Sequence, residues 1–327
     1  MSVEHLYKAH RVAFFVVAAA VLTLGAFTGL SWWAGFVLVY HRLVHVHWWW
    51  ILVALAAEFV AYLGYIVAYR EVARAEHGTE LPLTSTAAMV STGFGVFVAS
   101  GGFALDEALL RDAGVPRKEA RSRVLGLGAL EYVVLAPAAM GAAIYIVLQT
   151  RPDLDPSLTF PWIVGVPFGF AVVTLLMMNR RRVTLPHWIG KHVSHAVEAL
   201  NLVKAMAIQP FPCGLAFAGI ALYWAGDIAC LWAALHVFFQ EPPPLAQLVL
   251  GYATGYALSR RTLPLGGAGV VELLLPISLV LVGIALAPAI VAVVVYRFMN
   301  LWLPMIPALA GLPTLRQVSR RRMAGAA

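Results

Sequence analysis

The chain has 327 residues, of which 61% are hydrophobic and only 12% are charged, with a net charge of +7 and a mean hydropathy of +0.81. A soluble domain of this length needs far more charge to cover its surface, so the composition excludes a water-soluble fold and predicts an all-α polytopic membrane protein. The basic excess does not point to nucleic acid, because Lys and Arg gather at the ends of apolar runs, where inner loops and anionic headgroups favour them.

In chain order, the N-terminal "MSVEHLYKAHRVAFFVVAAAVLTLGAF" has the positive start and apolar core of a signal peptide. The apolar stretch continues towards Val39 without a cleavage site, so it reads as a retained first span. Six runs supply the roughly 20 apolar residues that a bilayer core requires: 12–39, 48–69, 124–148, 160–178, 214–238 and 285–310. Trp32, Trp33, Trp48 to Trp50, Trp162 and Trp302 lie near their ends, as an interfacial belt would place them. Between the fourth and fifth runs, about 184–208, "LPHWIGKHVSHAVEALNLVKAM" alternates apolar and polar residues at helical spacing and is predicted to lie in the cytoplasmic interface. Cys213 and Cys230 share one apolar run and read as small helix residues.

Two regions, 86–110 and 245–283, are apolar but broken. Reading both as re-entrant hairpins places every basic residue except Arg42, Arg151, Arg260, Arg261 and Arg297 on one face. Reading the first as a full span puts Arg111, Arg117, Lys118, Arg121 and Arg123 outside, against the positive-inside rule. The hairpin topology is therefore expected, with both termini cytoplasmic and one integral membrane domain over 1–327 that ends in a basic tail at 314–327.

The broken regions carry a common pattern, "GGFALDE" at 101–107 and "GGAGVVE" at 266–272, each with a glutamate five residues after its second glycine. The first hairpin would enter from the cytoplasm and the second from outside. Segments of about 83–148 and 245–310 thus read as an inverted repeat, an architecture recurrent in transporters, whose irregular backbone survives where protein or water satisfies it. Pro264, Gly101 and Gly102 are the residues expected to shape the hairpins.

Glu58, Asp106, Glu107, Glu131, Asp227, Glu272, Arg260, Arg261 and Arg297 fall at membrane depth. Each charge at mid-span costs about 2.5–3.5 kcal/mol on insertion scales, so partners, water or a ligand are expected. A planar guanidinium matches a phosphate bidentately, which makes Arg260, Arg261 and Arg297 candidates for a lipid phosphate, with the amides of Gly266, Gly267 and Gly269 beside them. Glu272, Glu131, Asp227, Glu58 and Glu107 are candidate proton-coupling or ion-pair groups, and Glu272 could hold an arginine at rest and release it to phosphate. The alternative is a set of static pairs, such as Arg297 with Glu272 or Asp227. Neither His41, His45 and His47 nor His187, His192 and His195 predict a metal, since the first group sits beside tryptophans without a carboxylate or cysteine and the second lies on the amphipathic helix. No catalytic or nucleotide-binding motif appears, so neither an enzyme nor a cofactor is expected.

"LSRRTLPLGGAGVVE", followed by "VAVVVYRFMNLWLP", resembles the membrane domain of the bacterial lysylphosphatidylglycerol synthase/flippase family, most specifically at 263–272 and 296–304. In the first half "ASGGFALDEALL" lacks the expected proline, and "LEYVVLAP" keeps Glu131 while Tyr132 stands where an arginine is common. The resemblance implies a stand-alone membrane member without the soluble synthase domain, in the bacterial inner membrane. It implies a translocase for an anionic or zwitterionic phospholipid or another phosphate-bearing lipid, with a lipid-modifying enzyme as a possible partner. The alternative is an accessory subunit that binds lipid for a separate glycosyl- or aminoacyl-transferase without transporting it.

Overall fold

The computed structural model describes residues 9–43, 46–75, 78–94, 102–149, 156–179, 187–208, 210–238, 243–257 and 263–309. Among them the only regular structure is helix, in the order α1 (Ala9–Ala34), α2 (Phe36–Leu43), α3 (Trp48–Arg74), α4 (Leu83–Gly93), α5 (Gly102–Asp112), α6 (Arg117–Leu148), α7 (Pro156–Met178), α8 (His187–Ile208), α9 (Pro210–His236), α10 (Leu245–Tyr252), α11 (Val270–Leu281) and α12 (Leu286–Arg297). A π-helical turn, Ala253–Ala257, extends α10 and another, Phe298–Trp302, extends α12.

Seven stretches of the described residues are long and apolar enough to cross a bilayer. Six lie in the runs expected from hydropathy, and the seventh, Pro264–Leu281, falls in the second broken region. Its regular part is only α11, 12 residues or about 18 Å at helical rise, against a hydrocarbon core of about 30 Å. Before α11 the chain turns through Leu265, Gly266 and Gly267, all with positive φ, a conformation that only glycine adopts without cost. The α10 limb packs antiparallel on α11: a Cβ at Gly251 would lie 3.4 Å from the Ser278 carbonyl, and one at Gly255 would lie 2.8 Å from the Leu275 Cα. In the first half α4 and α5, 11 residues each, form a second pair of half-length helices packed on each other.

Several expected boundaries shift, two of them with consequences for the charges and the first span. The first run breaks at Gly35, φ +88, into α1 and the short α2, because a left-handed residue cannot continue a right-handed helix. The third span begins at Arg117, so Lys118, Arg121 and Arg123 ride on α6 instead of a loop. The helix expected at about 184–208 is α8, whose buried Ala199, Leu202, Val203 and Met206 recur at the spacing of one helical face. Gly101 and residues 314–327 lie outside the described residues, as does the His45 side chain; the side chains of His187, His192 and His195 are likewise outside them.

Among the described residues the most extensive helix packing is that of α3 against α9. A Cβ on Gly64 would sit 2.6 Å from the Gly219 carbonyl, and one on Gly226 would sit 2.6 Å from the Ala61 amide. Small residues here let two backbones touch, the way membrane helices associate when no aqueous hydrophobic effect drives them together. That contact brings Glu58 of α3 and Asp227 of α9 into the interior.

Candidate functional site

The site is assembled at the left-handed turn before α11. Glu272, in the first turn of α11, is fully buried, and Arg297, at the end of α12, is 1% exposed. Arg297 Nε donates to Glu272 Oε1 at 2.7 Å, Thr23 Oγ1 of α1 donates to the same oxygen at 3.1 Å, and the Gly269 amide donates to Oε2 at 2.7 Å. The carboxylate therefore occupies the N-terminal end of its own helix, where exposed amides and the helix dipole favour an anion. Gly269 has φ +84, and its missing Cβ lets it approach Leu22 of α1.

Arg297 is paired through Nε, not through its fork. Its Nη2 donates to the Gly266 carbonyl at 3.2 Å, and among the described residues its buried Nη1 has no hydrogen-bond partner. A guanidinium held this way retains donors for a further acceptor beside a helix N-terminus.

A second polar cluster adjoins the first through the α12 backbone. Asp227 accepts from the Tyr252 hydroxyl, from the Tyr296 hydroxyl at 3.0 Å and from Asn300 Nδ2 at 2.6 Å. Asn300 Nδ2 also faces Glu58 Oε1 at 3.4 Å, and Asn300 Oδ1 accepts from the Tyr256 hydroxyl at 2.8 Å. Tyr256 and Asn300 come from the two π-helical turns, a deformation that recurs at functional sites because it re-aims side chains.

The first half has its own buried acids, at a distance from this pair in the chain. Glu131 accepts from the Tyr65 hydroxyl at 2.8 Å, and its carbonyl accepts from Trp224 Nε1 at 3.0 Å. Asp106 is fully buried, whereas Glu107 reaches Arg117 at 3.8 Å near the surface. Arg123 Nη1 donates to the carbonyls of Val72, Ala73 and Ala75, capping the end of α3 where free carbonyls and the helix dipole attract a cation.

Of the residues expected to bind phosphate, Arg297, Gly266, Gly267 and Gly269 meet at one turn, with Pro264 opening it. Arg260 and Arg261 lie outside the described residues. Glu272 pairs with Arg297, and Glu58 and Asp227 converge on Asn300, but Glu131 belongs to a separate contact with Tyr65. Gly102 starts α5. Thr23, Asn300 and the four tyrosines are neutral, so charge at membrane depth does not reveal them. The usable signal was the spacing of Tyr252 and Tyr256, four residues apart on one helical face.

A buried ion pair and hydroxyl–carboxylate contacts among long apolar helices define a polytopic helical membrane protein with a polar interior. The family model described as "Lysylphosphatidylglycerol synthase TM region" matches residues 15–308. The chain belongs to that family. A comparison with curated proteins finds no match.

Proposed function

We propose that the protein moves a phosphate-bearing lipid across the bacterial inner membrane. The two helical hairpins would be re-entrant and oppositely oriented, both termini cytoplasmic, and the headgroup would pass between the hairpins while its tails stay in lipid. One observation carries this reading: Arg297 is buried, is held by Glu272 through Nε alone, and keeps an unused Nη1 donor among the described residues beside a helix N-terminus. The family's name refers to a phospholipid, which supports lipid as the cargo.

In the resting arrangement Glu272 stands where the phosphate would bind. An arriving phosphate takes Arg297 through its fork, Glu272 swings away from the Gly269 amide, and that amide turns to the phosphate oxygen. The return of Glu272 releases the cargo. Arg260 and Arg261, outside the described residues, are assigned to the same phosphate in this reading. Asp227, Glu58 and Asn300 are the groups through which proton coupling would act. No catalytic step is assigned to the protein.

The test is reconstitution of the purified chain into vesicles of phosphatidylglycerol and phosphatidylethanolamine that carry a headgroup-labelled lipid. Transport by the protein alone supports the reading. A stable complex with a lipid-modifying transferase and no transport would replace it with the accessory-subunit role.

A further inference from the structure

Helices α6, α7 and α8 enclose a groove that the ionic site does not use. Its volume is about 720 Å³, within the roughly 300–1,000 Å³ of ligand pockets. Along α6 the lining passes from Arg121 through Leu125 and Ala129 to Ala136, every third or fourth residue and hence one helical face. That path is about 22 Å long at helical rise, enough to reach through one leaflet of a core about 30 Å thick. None of the described lining residues is acidic, and nearly all are aliphatic or aromatic.

The two ends differ. Arg121 is partly buried at one of them, and among the described residues its guanidinium has neither a hydrogen-bond nor a salt-bridge partner. Near the other, Trp162 already gives its indole N–H to Thr254 Oγ1 at 3.0 Å, so it offers the groove an apolar ring. The α7 wall is cut back at Gly165 and Gly169, where a Cβ would meet nothing within 4 Å.

We propose that this groove holds one acyl chain of a membrane glycerophospholipid whose phosphate rests against Arg121. A long apolar trough suits an alkyl chain, and a partly buried guanidinium at its mouth, without a partner among the described residues, suits a phosphate, which it can hold bidentately. The proposal is independent of transport through Arg297.

Native mass spectrometry of the full chain in detergent micelles tests it, with palmitoyl-oleoyl phosphatidylglycerol as one probe and the matching diacylglycerol as the other. Wild type is expected to retain phosphatidylglycerol. Gly169→Leu fills the open trough while improving helix propensity, and should lower retention of both probes about tenfold. Gly165→Val serves the same purpose if that variant folds poorly. Arg121→Gln should weaken phosphatidylglycerol about tenfold and leave diacylglycerol unchanged. Wild-type lipid retention in the folded groove-filling variants would overturn the proposal. So would a change in oligomeric state alone, which would assign the groove to a helix of a second copy.

Discussion

Arg297 and Glu272, 25 positions apart in the chain, meet at 2.7 Å through Nε and Oε1, with the guanidinium 1% exposed and the carboxylate fully buried. Two charges out of water require close geometry and further hydrogen bonds to offset their desolvation. The carboxylate has those bonds, from Thr23 and the Gly269 amide. The guanidinium has one more, to Gly266, and keeps Nη1 in reserve. The proposed phosphate site at Arg297 rests on this asymmetry.

Breaking the pair from one side leaves the other charge buried. Glu272→Gln is expected to lower stability by about 3–5 kcal/mol, read as a lower melting temperature in micelles. Combining it with Arg297→Met should cost less than the sum of the two single changes, because no lone charge remains. Additive losses would show that the two side chains do not depend on each other.

Asn300 joins Asp227, Glu58 and the Tyr256 hydroxyl. Asn300→Leu keeps the approximate size and removes both polar ends, so stability should fall by about 1–3 kcal/mol. Hydrogen exchange should rise at both π-helical turns, Ala253–Ala257 and Phe298–Trp302. Unchanged exchange there would mean that the network does not hold these turns.

The crossing of α3 and α9 leaves no room for a side chain at Gly219, where a Cβ would sit 2.6 Å from the Gly64 carbonyl. Gly219→Leu forces the helices apart and is expected to cost at least about 1–3 kcal/mol, and to expose Cys230, buried in the native chain, to thiol reagents. Protection equal to wild type would contradict the close crossing.

Hydropathy located six of the seven long apolar stretches, because roughly 20 apolar residues leave a signal that no local detail erases. The left-handed turn before α11 was also readable, since Pro264 and three nearby glycines announce backbone that a helix cannot use. Partnership was readable only as alternatives, Arg297 with Glu272 or with Asp227. Glu272, Asp227 and Arg297 all stood out as charges at depth, but pairing Arg297 with Glu272, and giving Asp227 to Tyr252, Tyr296 and Asn300, depends on helix rotation and crossing. Those depend in turn on contacts such as Gly64 with Gly219, which composition registers only as small residues. The break at Gly35 escaped for the converse reason: one glycine in an apolar run hardly changes hydropathy, although its φ of +88 ends a helix.

Arg123 closes the end of α3 through three carbonyls. Arg123→Met should leave them without their cation and lower stability by about 1–3 kcal/mol. Proteolysis should increase at the end of α3, near Ala75, while the proposed lipid transport, normalised to folded protein, should match wild type. A variant as protease-resistant as wild type would contradict the capping role.

The most direct test of the central claim is the rate at which headgroup-labelled phosphatidylglycerol crosses proteoliposomes containing Arg297→Gln, normalised to folded, reconstituted protein. Loss of a charge-assisted contact to phosphate predicts a rate at least about tenfold below wild type, with Arg297→Lys between the two because it keeps the charge but not the fork. A folded Arg297→Gln protein that moves the lipid at the wild-type rate would contradict a phosphate site at Arg297.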